Sequence, residues 1–232
     1  MPSDGGDPGE IAALEAVRAE HEPKLARELG KVLAFVVAGK TASAMLARAD
    51  SLPYEGLLAV INPFIKDAAS VAISIQAELL LTYGIGVPVS LAESFVAQWA
   101  NRYDYNLVSG INRNSRSFLQ KQVSTWARSN EGLPQLIERL EPMFGKTRAE
   151  LIGSTEATRA FTEGTFTAWE RAGFNRRPPE VMRPPAHPRC RCFVSLMPGD
   201  TWQYVWYTVN DQLVCPICEP RHLQVIGQAG NI

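Results

Sequence analysis

The stretch TRAELIGSTEATRAFTEGTFTAWERAG, Thr147–Gly173, is where the chain shows its architecture most openly. Thr147-Arg148-Ala149-Glu150 has the form of a capping box, in which threonine and glutamate satisfy each other's backbone N–H groups and open a helix. From there Leu151, Thr158, Phe161, Thr165, Ala168 and Ala172 recur at spacings of seven, three, four, three and four, which is one face of a helix. Glu156, Arg159, Glu163, Thr167 and Glu170 occupy another face. Arg159 stands three residues after Glu156 and four before Glu163 and can pair with either. Small residues and threonines on the inner face let a neighbouring helix approach closely, and Gly173 is placed to end the element. A pair of carboxylates can serve acid–base chemistry, but no histidine lies nearby in sequence, so Glu156, Arg159 and Glu163 read as structural ion pairs.

Working outward to the N-terminal side, the same periodicity predicts further helices cut by Gly and Pro. One is expected over Glu10–Glu22 and a second opens at Pro23, carrying Leu25, Leu29, Val32 and Val36 to a stop at Gly39. Thr41–Ala49 forms a short helix, and Asn62-Pro63 interrupts the stretch after it. Phe64, Ala68, Val71, Ile75 and Leu79 then recur in a segment almost free of charge between Ala68 and Tyr83, which is expected to be buried on most sides. Gly84–Pro88 is a turn, and Ser90 with Glu93 opens a helix through Phe95, Trp99, Tyr103 and Val108. A join near Ser109-Gly110 leads to a helix with Arg113, Arg116, Lys121 and Arg128 on a solvated face, and a short helix follows over Pro134–Met143. Gly145-Lys146-Thr147 is no phosphate-binding loop, because Leu140 stands where that motif needs glycine and no strand precedes it.

On the other side of Gly173 the composition changes abruptly. Asn175–Pro188 holds five prolines and three arginines, an extended linker rather than a helix. Arg191–Leu196 and Tyr204–Val209 are aromatic and β-branched, as strands are, with a hairpin turn at Asn210-Asp211-Gln212 towards Leu213–Cys215 and a last short strand at Leu223–Ile226. The predicted fold class is therefore mainly α: a multi-helix, elongated body ending in a small β-rich, zinc-binding C-terminal module. Its divisions are a disordered N-terminus at 1–9, a helical body at 10–144, a closing helix at 145–174, and a Pro/Arg-rich linker with the Cys-rich module at 175–232.

All four cysteines fall in that module, as two close pairs. Cys190 and Cys192 in an extended segment place both thiols on one face, since side chains alternate along a strand. Cys215-Pro216-Ile217-Cys218 is a knuckle whose tight turn brings two sulfurs within reach of one ion. Four soft ligands of this kind suit tetrahedral zinc in a closed, structural site, with His187 or His222 as a substitute ligand or an orienting neighbour. Metal binding would offset the small apolar core that so short a segment can bury. Three other readings stay open: a redox pair, although the βαβ setting of thioredoxin-like chemistry is missing; two disulfides, in an oxidising compartment; and packed cysteines without metal.

The whole chain sets outer bounds. Its 232 residues suit one large domain or a body with a small appendage, and 46% apolar with 20% charged residues marks a folded globular protein. A formal net charge of -1 supplies no global attraction to nucleic acid or anionic membrane. The polar start, Met1–Gly9, lacks the features of a signal peptide, no membrane anchor is expected, and synthesis and assembly in a cytoplasm follow. Arg176, Arg177 and Arg183 make a local basic stretch that can contact nucleic acid or an acidic protein surface, without the spacing of any known nucleic-acid motif. With neither a nucleophile–base pair nor an open metal site, no enzyme activity is expected.

Three segments together resemble one family. Arg148–Ala160 (RAELIGSTEATRA) is similar to the "RAe-IA-TE-tRA" helix of the phage Mu F-like head morphogenesis, or minor capsid, proteins. Pro184–Cys192 (PPAHPRCRC) resembles their HPxCRC signature, and Trp206–Cys218 (WYTVNDQLVCPIC) their W-T--D--VCPxC segment. The resemblance covers roughly residues 95 to 222, with the HPxCRC and CPxC segments in the reverse of the usual order, so the connection between the pairs differs from the family's. It implies a low-copy virion protein of the head, near the portal or the capsid interior, assembled in the host cytoplasm. Its partners would be the portal or major capsid protein, and possible contact with packaged DNA is implied too. Some members carry an added C-terminal domain; the sequence given stops at Ile232, so none is expected here. The alternative function is a zinc-stabilised DNA-binding protein of the virion or packaging apparatus, using the arginine stretch.

Overall fold

The computed structural model describes residues 8–129, 131–209 and 215–230, so the expected disorder before residue 8 and the turn at 210–212 lie outside it. Six α-helices come first: α1 (Pro8–Val37), α2 (Ala42–Ala49), α3 (Glu55–Leu81), α4 (Val89–Trp126), α5 (Leu133–Phe144) and α6 (Lys146–Arg171). Three antiparallel strands follow, β1 (Phe193–Met197), β2 (Trp202–Tyr207) and β3 (Gln224–Gly230), in the order β1-β2-β3. The fold is thus a mainly α body with a small β-rich C-terminal module, as the periodicities foretell.

Three expected breaks do not occur. Pro23 lies inside α1, Pro63 inside α3, and Ser109-Gly110 inside α4. Proline removes one helical N–H and crowds the preceding turn. Here, however, Pro23 and Pro63 both face solvent, where water can satisfy the freed carbonyl. The buried positions run past them without a phase change: Leu14, Val17, His21, Leu25, Leu29, Val32 and Val36 in α1. In α4 they are Ala92, Val96, Ala100, Asp104, Val108, Ile111, Ser115, Leu119 and Val123, at spacings of three and four throughout. Packing of a continuous face outweighs local propensity. The expected disorder at 1–9 ends early, because α1 already includes Pro8 and Gly9.

α3 also corrects an expectation. It buries a stripe through Leu57, Ile61, Phe64, Ala68, Ala72, Gln76 and Leu80, while Ser74 and Glu78 are exposed, so it is amphipathic rather than enclosed. By length and composition alone it could cross a membrane, its most apolar 18-residue window having a mean hydropathy of 1.5. Its stripe is nevertheless committed to protein contacts, as for a core helix.

The chain divides into two compact units. One comprises the described residues of Met1–Ala19, Phe64–Ala100 and Ile152–Ile232. Its centre is an aromatic layer in which Trp169 stacks on Tyr204 (5.2 Å, 19°) and Phe166 stands edge-on to both. Trp169 Nε1–H donates to the Gln76 carbonyl (2.9 Å), and the Gln76 amide donates to Glu10 (2.7 Å), so the buried polar groups are satisfied in series. Gly164 allows α6 to meet α3, since a Cβ there would lie 2.2 Å from the Ala69 carbonyl oxygen. The sheet shares this layer through Tyr204 and Trp206, and Phe174 and Cys190 belong to the same buried cluster. The core therefore runs straight across residue 175, where the composition changes.

The other unit comprises Glu20–Pro63 and the described residues of Asn101–Leu151. Thr41 caps α2 by accepting from the Ala44 N–H (3.3 Å), and Leu136, Leu140 and Phe144 bury one face of α5. Arg48 donates to the Phe35 carbonyl (2.8 Å) with its guanidinium over that ring, and Asn62 bonds to Asn101 (3.1 Å) and Asp104.

Candidate metal centre

The site begins with a turn. Cys190 N–H donates to the His187 carbonyl (3.2 Å), closing a four-residue turn with Pro188 second and Arg189 third, at φ 63°. Proline second and a left-handed third residue are the pattern of a type II turn, which ordinarily favours glycine at the third position. The turn lays the His187 imidazole beside the Cys190 sulfur. α6 holds it from behind: the Arg189 N–H donates to Thr155 Oγ1 (3.0 Å), and the Thr158 hydroxyl donates to the Cys190 carbonyl (2.6 Å). Cys190 and Cys192 then lead directly into β1, both buried.

The second pair arrives on its own tight turn. Cys218 N–H donates to the Cys215 carbonyl (3.0 Å) and lies 3.3 Å from its sulfur, and Glu219 N–H donates to the same carbonyl (2.9 Å). His187 Nε2 stands 2.7 Å from Cys215 Sγ and 3.1 Å from Cys218 Sγ, and Cys190 Sγ is 3.8 Å from Cys218 Sγ. The donor atoms of His187, Cys190 and Cys218 lie within 4.8 Å of one another, with Cys215 against the imidazole. These residues could hold a metal ion.

Two features fit that reading. Two thiolates on a tetrahedral ion with bonds of about 2.3 Å stand about 3.8 Å apart, which the Cys190–Cys218 separation matches. The imidazole stands closer to its sulfurs, at 2.7 and 3.1 Å, and would have to draw back by several tenths of an ångström to share an ion with them. His187 Nδ1 is 2.7 Å from the Pro188 carbonyl oxygen, so Nδ1–H donates there and the Nε2 lone pair points at the sulfurs. None of the cysteines is in a disulfide. Within the tight Cys190/Cys192 pair, a hydrogen bond from the Cys192 thiol holds Cys190 well below the usual thiol range and pushes Cys192 up. Burial pushes the Cys218 thiol up, and the charge of Cys190 adds to this.

The expected residues divide as follows. Cys190, Cys215 and Cys218 come together with His187, whereas Cys192 sits beside Cys190 as a fifth donor. His222 is elsewhere: its Nδ1 meets the Thr208 hydroxyl (3.0 Å) and N–H (3.3 Å). Arg159 pairs with Glu156 (3.1 Å), while Glu163 faces Arg177 (2.8 Å). Arg177 also takes Glu170 (2.5 Å), and these two carboxylates raise its affinity for its proton against the opposing effect of burial. Arg183 donates to the Pro178 carbonyl (2.6 Å) over the Phe166 ring, and burial lowers its pKa. Arg176 is exposed. Sequence reasoning missed Thr155 and Thr158 as braces of the metal loop; the available signal was threonine on an otherwise apolar helix face.

No protein-family profile, no curated protein and no solved structure matches this chain.

Proposed function

We propose that this chain is a non-enzymatic structural protein of a phage head, acting in head morphogenesis beside the portal or major capsid protein, with its C-terminal module held by a structural zinc ion. The observation that carries this reading is the meeting of the resembling segments at one point. The Thr155–Thr158 helix turn bonds to the His187–Cys190 loop, and Cys215 and Cys218 reach the same cluster. His187, Cys190, Cys215 and Cys218 would hold the zinc, which would cross-link two segments already seated on the shared core. Three thiolates and one imidazole fill a tetrahedral shell, leaving no position for a substrate.

The DNA-binding alternative finds less support. Arg177 and Arg183 are spent on internal contacts, and a phosphate would have to compete with two carboxylates for Arg177. Two measurements test the proposal. Purified protein should carry one zinc per chain and melt at a lower temperature after chelation; zinc-free protein with an unchanged Tm would overturn the clasp. Imaging of purified particles with labelled protein should place it in the head at low copy, at the portal vertex, and its absence from particles would sink the structural role.

A further inference from the structure

The centre has five donors for four positions. His187, Cys190, Cys215 and Cys218 make one set. Cys192 is the fifth: it is buried and lines the same cavity as His187, Cys215 and Cys218. Structural zinc takes four ligands, so something must decide between the imidazole and the fourth thiol. Chain geometry favours the thiol. Cys192 follows Cys190 by two residues at the entry to β1, where alternate side chains share a face. His187 reaches the sulfurs only through the turn at Pro188-Arg189, and Arg189 sits there at φ 63°, a conformation costly to a residue with a Cβ. Rotating Arg189 back to negative φ would carry the imidazole off the cluster. What holds the turn lies outside it. Arg189 N–H donates to Thr155 Oγ1 (3.0 Å) and the Cys190 carbonyl accepts from Thr158 (2.6 Å), so two threonines grip the backbone on either side of the Arg189 Cα. They stand three residues apart on one face of α6, and the bond from Thr158 is buried, where it is stronger than in water.

We propose that Thr155 and Thr158 are positioning residues that select the ligands of the centre: they keep His187 in the set and Cys192 out of it. The inference rests on the zinc reading above and concerns only which donors fill the shell. Without the two hydrogen bonds Arg189 returns to negative φ, and His187 leaves as a neutral imidazole. Cys192 gives its thiol proton to solvent and binds in its place, so one metal–nitrogen bond breaks and one metal–sulfur bond forms. The four-thiolate centre carries one more negative charge than the one it replaces. Its ligand set is thus fixed by a helix that supplies no ligand, in the way that groups behind a metal site commonly orient the donors in front of them.

X-ray absorption at the zinc edge of the full-length, zinc-loaded chain counts sulfur neighbours and reveals an imidazole by the scattering of its outer ring atoms. The unaltered chain should show three sulfurs and one imidazole. Thr155→Val with Thr158→Val should still carry one zinc per chain, gain a fourth sulfur and lose the imidazole signal; Thr155→Ser with Thr158→Ser should keep that signal. Arg189→Val opposes the same turn from the exposed side of the loop, because a β-branched residue resists positive φ, and should make the same exchange. It leaves the core helix untouched and decides the matter if the threonine variant fails to fold. Adding Cys192→Ser to Arg189→Val should then remove the fourth sulfur. Four sulfurs in the unaltered chain, or an imidazole retained in a folded valine variant, overturns the selection. So does loss of zinc from the valine variants, which would make the threonines braces of the whole site rather than arbiters of its ligands. Unaltered protein that binds no zinc instead defeats the zinc reading itself, and the selection with it.

Discussion

At the scale of single residues, Gly164 shows how little room the core leaves. An added methyl would meet the Ala69 backbone carbonyl at 2.2 Å, and backbone within a packed helix cannot retreat as a flexible side chain could. Alanine is intrinsically the better helix former by about 1 kcal/mol, so propensity alone predicts that Gly164→Ala stabilises. Overpacking acts the other way at about 1–3 kcal/mol, and net destabilisation in urea unfolding is the expected outcome. Unchanged or increased stability would show that α3 and α6 do not meet at this point. Tyr204 offers a pH test. Burial first, then the Glu170 charge, pushes its phenol up to about 12 from the ordinary 10. A raised folded-state pKa means that the neutral form is favoured in the fold, so its stability contribution is complete below pH 10 and is lost as pH climbs from 10 towards 12. Tyr204→Phe should flatten that part of the stability profile; an identical decline in the variant would assign it to other groups.

Among elements, the linker after α6 is tied back to that helix by Arg177. Arg177 is about one-fifth exposed and bridges Glu163 and Glu170, seven residues apart on α6, with its guanidinium near the Phe166 ring. Arg177→Ala leaves two partly buried carboxylates with only the weaker field of Arg183 to answer them and should cost about 2 kcal/mol. The exposed neighbour Arg176→Ala should stay within about 0.5 kcal/mol. Equal effects in thermal melts would refute the clamp. The same pair shows what sequence could resolve. Helical spacing revealed α6, but not that Glu156 and Thr167 on its charged face are buried as well. Nor did it reveal that Glu163 would choose Arg177 over Arg159, because that partner arrives by a loop rather than by helical period. The buried stripe of α1 was legible, but those of α3 and α4 run one residue beside the large apolar positions. They pass through Ala72, Gln76 and Leu80 rather than Val71, Ile75 and Leu79, and through Val96, Ala100 and Asp104 rather than Phe95, Trp99 and Tyr103. Pro23, Pro63 and Gly110 misled because which side of a helix faces water is not a local property. Strands β1 and β2 followed from their aromatic and β-branched content, whereas β3 runs on past Val225-Ile226 through Gly227, Gln228, Ala229 and Gly230, which carry no such signal. The cysteine pairs were visible as pairs, yet their ordering around His187 depends on the left-handed turn at Arg189 and on threonines more than thirty residues upstream. The turn leaves no local pattern, and the threonines show only as polar residues on a helix face, without naming their partner.

At the scale of the molecule, the candidate metal centre belongs wholly to one of the two compact units. Chelation should therefore raise amide exchange around 187–193, at 215–226, and at the α6 turn carrying Thr155 and Thr158. Protection at 104–123, in the other unit, should be unchanged; a uniform rise across both would mean that the metal controls global unfolding instead. The two hydrogen bonds from α6 to the loop have a further consequence for inheritance. Thr158 cannot drift freely while the Cys190 carbonyl depends on its hydroxyl, and the same holds for Thr155 and the Arg189 amide. Among diverged copies of this gene, changes at 155 and 158 should accordingly arise together with changes in 187–190, making two stretches far apart in the sequence a single unit of selection.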